Sequence, residues 1–233
     1  MPATTPKSAF RKGVLDSAPF LVVGVPFAVL FGVVATEAGL NVAQTLGMSV
    51  LIIAGASQFT AVQLLTENAP VWIVIAASLA VNLRMAMYSA SLQPHLGAAK
   101  LWQRILVAYL NVDGSYALSI QNYEDHPDQS LSAKLAYFFG TMTLMTPMWF
   151  VGTYVGAVAG AALPESLAVD FAMPILFLAL VGPMLKTLAH MAAAVTSVIA
   201  ALALSFLPSG VGLLGAAFLA MAVGAEIERR RGR

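Results

Sequence analysis

Two opposite charges stand where charges are rare. Arg84 lies in Asn82-Leu83-Arg84, inside an otherwise apolar run, and Asp113 lies in Asn111-Val112-Asp113-Gly114-Ser115-Tyr116. A guanidinium presents a planar fork of donors that can hold a carboxylate through two parallel hydrogen bonds. A carboxylate in apolar surroundings can hold an ammonium group, or take up and release a proton. Arg84 is therefore a candidate carboxylate ligand, or it pairs with Asp113 for folding alone. Asp113 is a candidate for proton coupling or for binding a substrate ammonium group, with the same structural pairing as the alternative. Arg84, Tyr88, Ser91 and His95 follow helical spacing and form one polar stripe, which suggests a wet path. Asn82, Ser89 and Gln93 form a second.

Three further stretches carry polar or helix-breaking residues at mid-run. Gly24-Val25-Pro26-Phe27 places a proline where a helix loses a donor and meets a steric clash. Such a break either kinks the helix or lines a substrate path. Ala54-Gly55-Ala56-Ser57-Gln58-Phe59 combines small residues with one amide; Gln58 either bridges helices or meets a substrate. Gly152, Gly156 and Gly160 form a close-packing face, against another helix of this chain or against a partner. Eleven methionines read most simply as lipid-facing or core filler.

Composition excludes most other chemistry. Of 233 residues, 59% are hydrophobic and 10% charged, and the net charge is +1. A soluble domain averages about 25% charged residues. No basic field exists to hold nucleic acid. The absence of cysteine removes disulfides, thiolate metal sites and a Cys nucleophile. His95, His126 and His190 do not cluster as metal ligands. No Ser-Lys, paired-Asp or His-based motif points to an intramembrane enzyme, and neither a cofactor nor a metal is expected.

The elements that must position these residues are long uncharged runs. Ser17 to Thr36, Ala38 to Thr66, Asn68 to Leu83 and Leu135 to Pro164 carry no charge, and neither does Thr187 to Ala225. About 20 helical residues cross a bilayer. The fold class is an all-α polytopic membrane protein of about seven or eight transmembrane helices, some broken by Pro or Gly. Candidate crossings fall at 14–36, 42–65, 70–92, 102–122, 134–160, 168–186, 189–207 and 210–226. The fourth is the least apolar and could lie in the interface instead. The single transmembrane domain covers 14–226, between a tail at 1–13 and a basic tail at 227–233. A basic start followed by a span-length run reads as a retained first helix, not a cleaved leader.

Lys and Arg favour the cytoplasmic side of short loops. Eight crossings with both ends inside place Lys7, Arg11, Lys12, Lys134, Lys186, Arg229, Arg230, Arg231 and Arg233 inside, and Lys100 and Arg104 outside. With no ATP-binding segment, energy must come from a gradient or a partner chain.

At these residues the chain resembles the AzlC-like, or azaleucine-resistance, family: the large subunit of bacterial branched-chain amino-acid exporters. The likeness runs over about residues 10 to 228. It rests on Gly24-Val25-Pro26-Phe27 with Phe31-Gly32, Ala54 to Phe59, and Asn82-Leu83-Arg84 leading to Tyr88-Ser89-Ala90. It continues through Asp113, Tyr116-Ala117-Leu118, Asp170-Phe171-Ala172 and Leu207-Pro208. Met85 stands where many members carry histidine, and Gly114 where a larger polar residue often follows the aspartate. The resemblance implies export of leucine, valine and isoleucine, with methionine as a further substrate. It also implies the bacterial inner membrane and a separate small hydrophobic AzlD-like subunit. A zwitterion needs a cation or a helix N-terminus, an acceptor for its ammonium group, and an apolar pocket. Pro26, Phe27, Ser57, Gln58, Phe59, Asn82, Arg84 and Tyr88 are the candidate substrate ligands, and Asp113 the candidate proton carrier. A passive channel for small neutral solutes and a non-transport assembly subunit are the alternatives.

Overall fold

The computed structural model describes residues 5–162, 185, 187–207 and 211–231. Every regular element among them is helical. They are α1 (Pro6–Ser17), α2 (Leu21–Glu37), α3 (Val42–Leu51), α4 (Gly55–Thr66), α5 (Val71–Leu96), α6 (Leu101–Leu110), α7 (Asp113–Asp125), α8 (Leu131–Ala161), α9 (Leu188–Ala203) and α10 (Val211–Arg231). Two compact units form: Met1–Phe59 with Ser78–Ala162, and Thr60–Ala77 with Leu163–Arg233.

The frame of the first unit is α1–α2 packed parallel on α8. Pro6 opens α1 behind an Asn/Ser/Thr-type cap, with the Thr5 hydroxyl accepting from the Ser8 amide at 3.3 Å. The helix starts inside the stretch assigned to the N-terminal tail, and Ala9 and Gly13 are buried. Pro19 sits in a short 3₁₀ turn, Ala18–Phe20, that joins α1 to α2. The helix passes through Pro26 without a break. Glycines set the contact. A Cβ on Gly13 or Gly140 would strike the backbone of Tyr137 or Phe10, and one on Gly32 or Gly156 the backbone of Thr153 or Val29. The glycine face of α8 is therefore matched by α2 of the same chain.

Within this frame two apolar segments reverse direction. Asn41 caps α3, exchanging hydrogen bonds with Gln44 at 2.9 and 2.8 Å. The helix stops at Ile52, which is extended; two adjacent β-branched residues, Ile52 and Ile53, precede Gly55 there. The Gln58 side-chain amide then lies 3.0 Å from the Ser49 hydroxyl. A continuous helix would hold residues nine apart at about 13 Å. Thus α3 and α4 fold back as a hairpin. Ser49 also meets Thr153 at 3.3 Å, and Gly55 lies against Phe27 and Trp149. This hairpin enters from the end of α8 near Gly160 and Thr36.

The second hairpin is α6–α7, broken at Asn111 and Val112, both extended. The Ser115 hydroxyl accepts from the Val112 amide at 2.9 Å and so starts α7. Along α5, Asp113 meets Arg84, Tyr116 meets Ser91, and Tyr123 packs on His95. Asn111 reaches back to Ser89 at 3.4 Å. So α6 retraces α5 and α7 returns, both from the end marked by Lys134, whose carbonyl accepts from the Tyr123 hydroxyl at 2.8 Å. Its tip, Gly114, touches Met145 and Phe20. The two tips reach α8 four residues apart, at Met145 and Trp149, about 6 Å along the helix. In this unit Lys7, Arg11, Lys12, Lys100, Arg104 and Lys134 all belong to one end, whereas the other carries Glu37.

The segments read as crossings at 42–65 and 102–122 are these hairpins, so the expected count of seven or eight spans is not confirmed. Four helical stretches are long and apolar enough to cross: Pro6–Glu37, Val71–Leu96, Leu131–Ala161 and Val211–Arg230. The sixth expected crossing, with Asp170 and Met173-Pro174, and also Pro208, lie outside the described residues. In the second unit α9, capped by Thr187 on the His190 amide at 3.2 Å, pairs antiparallel with α10. Gly212 lies at Leu204 and Gly224 at Ala193. The α10 helix continues through Arg229 and Arg230.

The hairpin arrangement is open to a direct test, because the chain has no native cysteine. Ala98→Cys and Asp128→Cys, made singly, are expected to react with an impermeant maleimide from the same side of the membrane. Labelling from opposite sides would restore a straight crossing for 102–122.

Candidate functional site

A cavity of about 240 Å³ lies in the first unit where the two hairpin tips meet. Four elements build it. The start of α2 supplies Phe20, Gly24 and Phe27. The break before α4 supplies Ile53, Ala54 and Gly55. The start of α7 supplies Val112, Asp113 and Gly114, and α5 supplies Arg84 and Met85. One face of α8 closes it with Met142, Met145, Met148 and Trp149.

Both tips bring a helix N-terminus to the cavity wall, where backbone donors and the helix dipole favour negative charge. Asp113 occupies the first turn of α7. Its carboxylate is held on both oxygens: Arg84 Nη1 lies 3.0 Å from one, and the Tyr88 hydroxyl donates to the other at 3.0 Å. The remaining fork of Arg84 is not used up. Its Nε is buried with no hydrogen-bond partner among the described residues, and so is the indole Nε1 of Trp149. Two unmet N–H donors therefore belong to residues that line one small, otherwise apolar chamber. A buried donor without an acceptor is costly, and a carboxylate is the acceptor that a guanidinium fork matches best.

The residues singled out from sequence divide into those on the cavity wall and those behind it. Arg84, Asp113 and Phe27 line it. Tyr88 reaches Asp113 but is not part of the lining. Phe59 stands behind, stacked on Phe27 with ring centroids 5.0 Å apart and edge-on to Phe31 at 5.5 Å. Gln58 is buried in a polar link with Ser49 and Thr153 that ties the α3–α4 hairpin to α8. The Ser57 hydroxyl donates to the Ala54 carbonyl at 2.9 Å, within the break. Asn82 has a buried side-chain oxygen without a partner among the described residues. Pro26 lies within α2, between the lining residues Val25 and Phe27.

Sequence reading missed the methionines. Four of them line the cavity, three at positions 142, 145 and 148 of one helix. The spacing of three was visible, but core methionines show it too. Trp149 was missed as well, and the tip glycines, Gly55 and Gly114, were noted within their motifs but not counted among the site residues. A Cβ at Gly55 would lie 2.6 Å from Phe27 Cε1, and one at Gly114 would lie 2.9 Å from Met145 Cε. Glycine at each tip lets the wall close on the backbone.

Comparison with known proteins identifies the family. The family described as AzlC protein matches residues 19–163, which holds every lining residue named above. The chain belongs to the AzlC family. An Archaeoglobus fulgidus protein named as an uncharacterised membrane protein is 33% identical over 217 residues, covering 91% of this chain and 92% of that protein. The inner membrane protein YgaZ of Escherichia coli K12 is 28% identical over 192 residues, covering 76% of this chain and 74% of YgaZ. A Helicobacter pylori membrane protein is 29% identical over 175 residues, covering 75% of this chain and 73% of its own length. No solved structure matches. This AzlC-family chain is thus an all-helical membrane protein of transport-related type.

The ion pair predicts a non-additive stability pattern. Removing one charge leaves the other without its counter-ion beside an apolar chamber. Arg84→Met and Asp113→Leu are each expected to lower the melting temperature of the purified protein. The double variant should lose less than the sum, with a coupling of about 0.5–3 kcal/mol. Additive losses would mean that the two groups do not hold each other.

Proposed function

We propose that this AzlC-family chain is the large subunit of a proton-coupled exporter of branched-chain amino acids, and that the chamber between the hairpin tips is its substrate site. The observation that carries the reading is the Arg84–Asp113 pair on the wall of an apolar cavity, with Arg84 Nε still unpaired. A zwitterionic amino acid inserts into that pair. Its carboxylate takes the Arg84 fork at the helix N-termini, and its ammonium group takes Asp113. Its aliphatic side chain lies among Phe27, Met142, Met145 and Met148, whose flexible thioethers adapt to differing apolar shapes. Methionine fits such a pocket as leucine does.

Coupling follows from sharing. Asp113 holds either the substrate ammonium or a proton, not both. Outward passage of the amino acid and inward passage of a proton then alternate on one carboxylate, which is antiport.

Orientation follows from charge. The six Lys and Arg residues at the Lys134 end of the first unit, against Glu37 at the other, support a cytoplasmic Lys134 end with the N-terminus beside it. The basic run Arg229 to Arg233 supports a cytoplasmic C-terminus. The relative YgaZ, named an inner membrane protein, supports the bacterial inner membrane. The small hydrophobic AzlD-like subunit completes the exporter in the bilayer. An exposed apolar face on α6, formed by Leu101, Trp102, Ile105 and Tyr109, supports such a neighbour.

The test is efflux of preloaded labelled leucine or valine from cells lacking their own exporters, with this chain alone and with the small subunit. Efflux is expected to exceed that of empty cells and to collapse with an uncoupler. Arg84→Ala should reduce it by about tenfold or more, the loss of one charge-assisted hydrogen-bonded contact. Asp113→Asn, at normal expression, should abolish extrusion against a gradient. Extrusion that survives Asp113→Asn removes the proton from this carboxylate. Absence of efflux in both forms removes the substrate assignment.

A further inference from the structure

A second cavity, of about 290 Å³, lies at the Lys134 end of the first unit, and amino-acid binding in the chamber does not use it. It is a groove between the last turns of α5 and the start of α6. Leu96 and Val107, both buried, belong to its floor, and Leu101, Ile105 and Ala108 to the α6 wall. Leu101 and Ile105 are exposed, so the groove opens on the outside of the unit. One cation, Arg104, joins this apolar lining. Lys100 stands one turn before it. Among the described residues, ion pairs form at Lys12, Arg84, Arg229 and Arg230, and neither Lys100 nor Arg104 has one.

Depth along the helix narrows the choice of occupant. Helix α6 starts at Leu101, so Arg104 lies about 5 Å in from its end. Trp102 beside it is exposed, and tryptophan settles at the headgroup level of a bilayer. No side chain caps the first amides of α6, because Lys100 stands at the cap and offers no acceptor. A row of apolar surface thus ends in unmatched positive charge at interfacial depth.

We propose that this groove holds an anionic phospholipid, with an acyl chain along Leu96 and Val107 and the phosphate at Arg104 and Lys100. Charge complementarity selects the occupant. A zwitterionic lipid covers the apolar floor but leaves a cation excess unmet. A free phosphate meets the cations and leaves the floor uncovered. An anionic phosphodiester carrying acyl chains does both, and a guanidinium fork matches its oxygens. Basic pockets between transmembrane helices hold such headgroups at the cytoplasmic side. Ser89, which also lines the groove, accepts from Asn111 at the α6–α7 break at 3.4 Å. A lipid seated here therefore holds α6 against α5 and steadies the hairpin that carries Asp113 to the chamber. Trp102 and Tyr109 lie outside the groove, on the neighbouring row of α6, so a small subunit seats over the lipid and does not replace it. The inference is independent of what the chain transports.

The test uses the full chain purified in neutral detergent, alone and with the small subunit. Dioleoylphosphatidylglycerol, dioleoylphosphatidylcholine and inorganic phosphate are added in separate arms. Melting temperature and native mass spectrometry are the readouts. Phosphatidylglycerol is expected to raise the melting temperature and to bind about tenfold more tightly than phosphatidylcholine. Arg104→Gln should weaken it about tenfold, the scale of one charge-assisted contact. The lipid-free melting temperature should stay in place, because the variant removes an exposed, unpaired side chain. Ala108→Trp keeps both charges and fills the groove, and should weaken binding as much. Equal binding of the two lipids overturns the site, as does phosphatidylglycerol binding within about twofold of the unmodified protein in either variant. A full shift from inorganic phosphate makes it an ion site and overturns the lipid. Loss of phosphatidylglycerol when the small subunit binds assigns the groove to that subunit instead.

Discussion

A guanidinium in a membrane segment costs about 2.5–3.5 kcal/mol on insertion scales, and the first unit is organised around meeting that cost. Arg84 reaches Asp113 at 3.0 Å only because α6 stops at Leu110 and α7 starts at Asp113. A straight helix over the same residues would carry Asp113 past Arg84 with no tip to place at the chamber. The break brings further charge. It aims the N-terminus of α7 at the cavity, and the opposing hairpin does the same with α4. Backbone freed at a break in the bilayer must be satisfied by protein. Here Ser115 serves Val112, and the Tyr109 hydroxyl donates to the Val50 carbonyl at the other tip. The second hairpin thus satisfies its own break and helps to satisfy the first.

Close packing makes room for those tips. The glycines of α8 bring α2 and α1 to backbone contact, so the three-helix frame is thin where it must be. The bulk that those glycines omit returns at Met142, Met145, Met148 and Trp149, the turns of α8 opposite the tips. One helix therefore supplies both the tightest contact of the unit and the most adaptable wall of its cavity. Glycine at 152, 156 and 160 and methionine at 142, 145 and 148 are two regions of one design.

Chemistry was more legible in the sequence than path. Arg84 and Asp113 stand out because charge is scarce around them, and their pairing needs no fold to suggest it. The polar stripe of α5 was legible because a helix repeats its faces. The hairpins were not, since ten apolar residues going in and twelve coming back have the composition of one crossing. Charge counting did not reveal them either. Two reversals leave the parity of the later loops unchanged, so the count shifted only at Lys100 and Arg104. The contact that betrays the first hairpin, Gln58 with Ser49, is polar and buried. From sequence it could equally bridge helices or meet a substrate. Pro26 was the loudest breaker in the sequence, yet α2 runs through it. The breaks fell instead at Ile52-Ile53-Ala54 and Asn111-Val112, where β-branched and capping residues weaken the helix without a proline.

On the proposed reading, in which proton and substrate share Asp113, the charge of the site would decide what drives the cycle. The empty chamber is neutral, Arg84 against Asp113. It stays neutral with a zwitterion inserted, because the substrate brings one charge of each sign. Only the protonated, empty state differs, since Arg84 then lacks its counter-ion and the site carries a net positive charge. That state is the costly one in apolar surroundings, and it is also the one on which a membrane potential acts. A positive site moving toward a negative interior gains about 2.3 kcal/mol per 100 mV for a full charge crossing. The potential would therefore act on the return of the empty carrier, while outward passage of the amino acid would move no charge. On the proposed reading, a single ion pair in a small chamber would suffice to couple export to the proton without a second ion site.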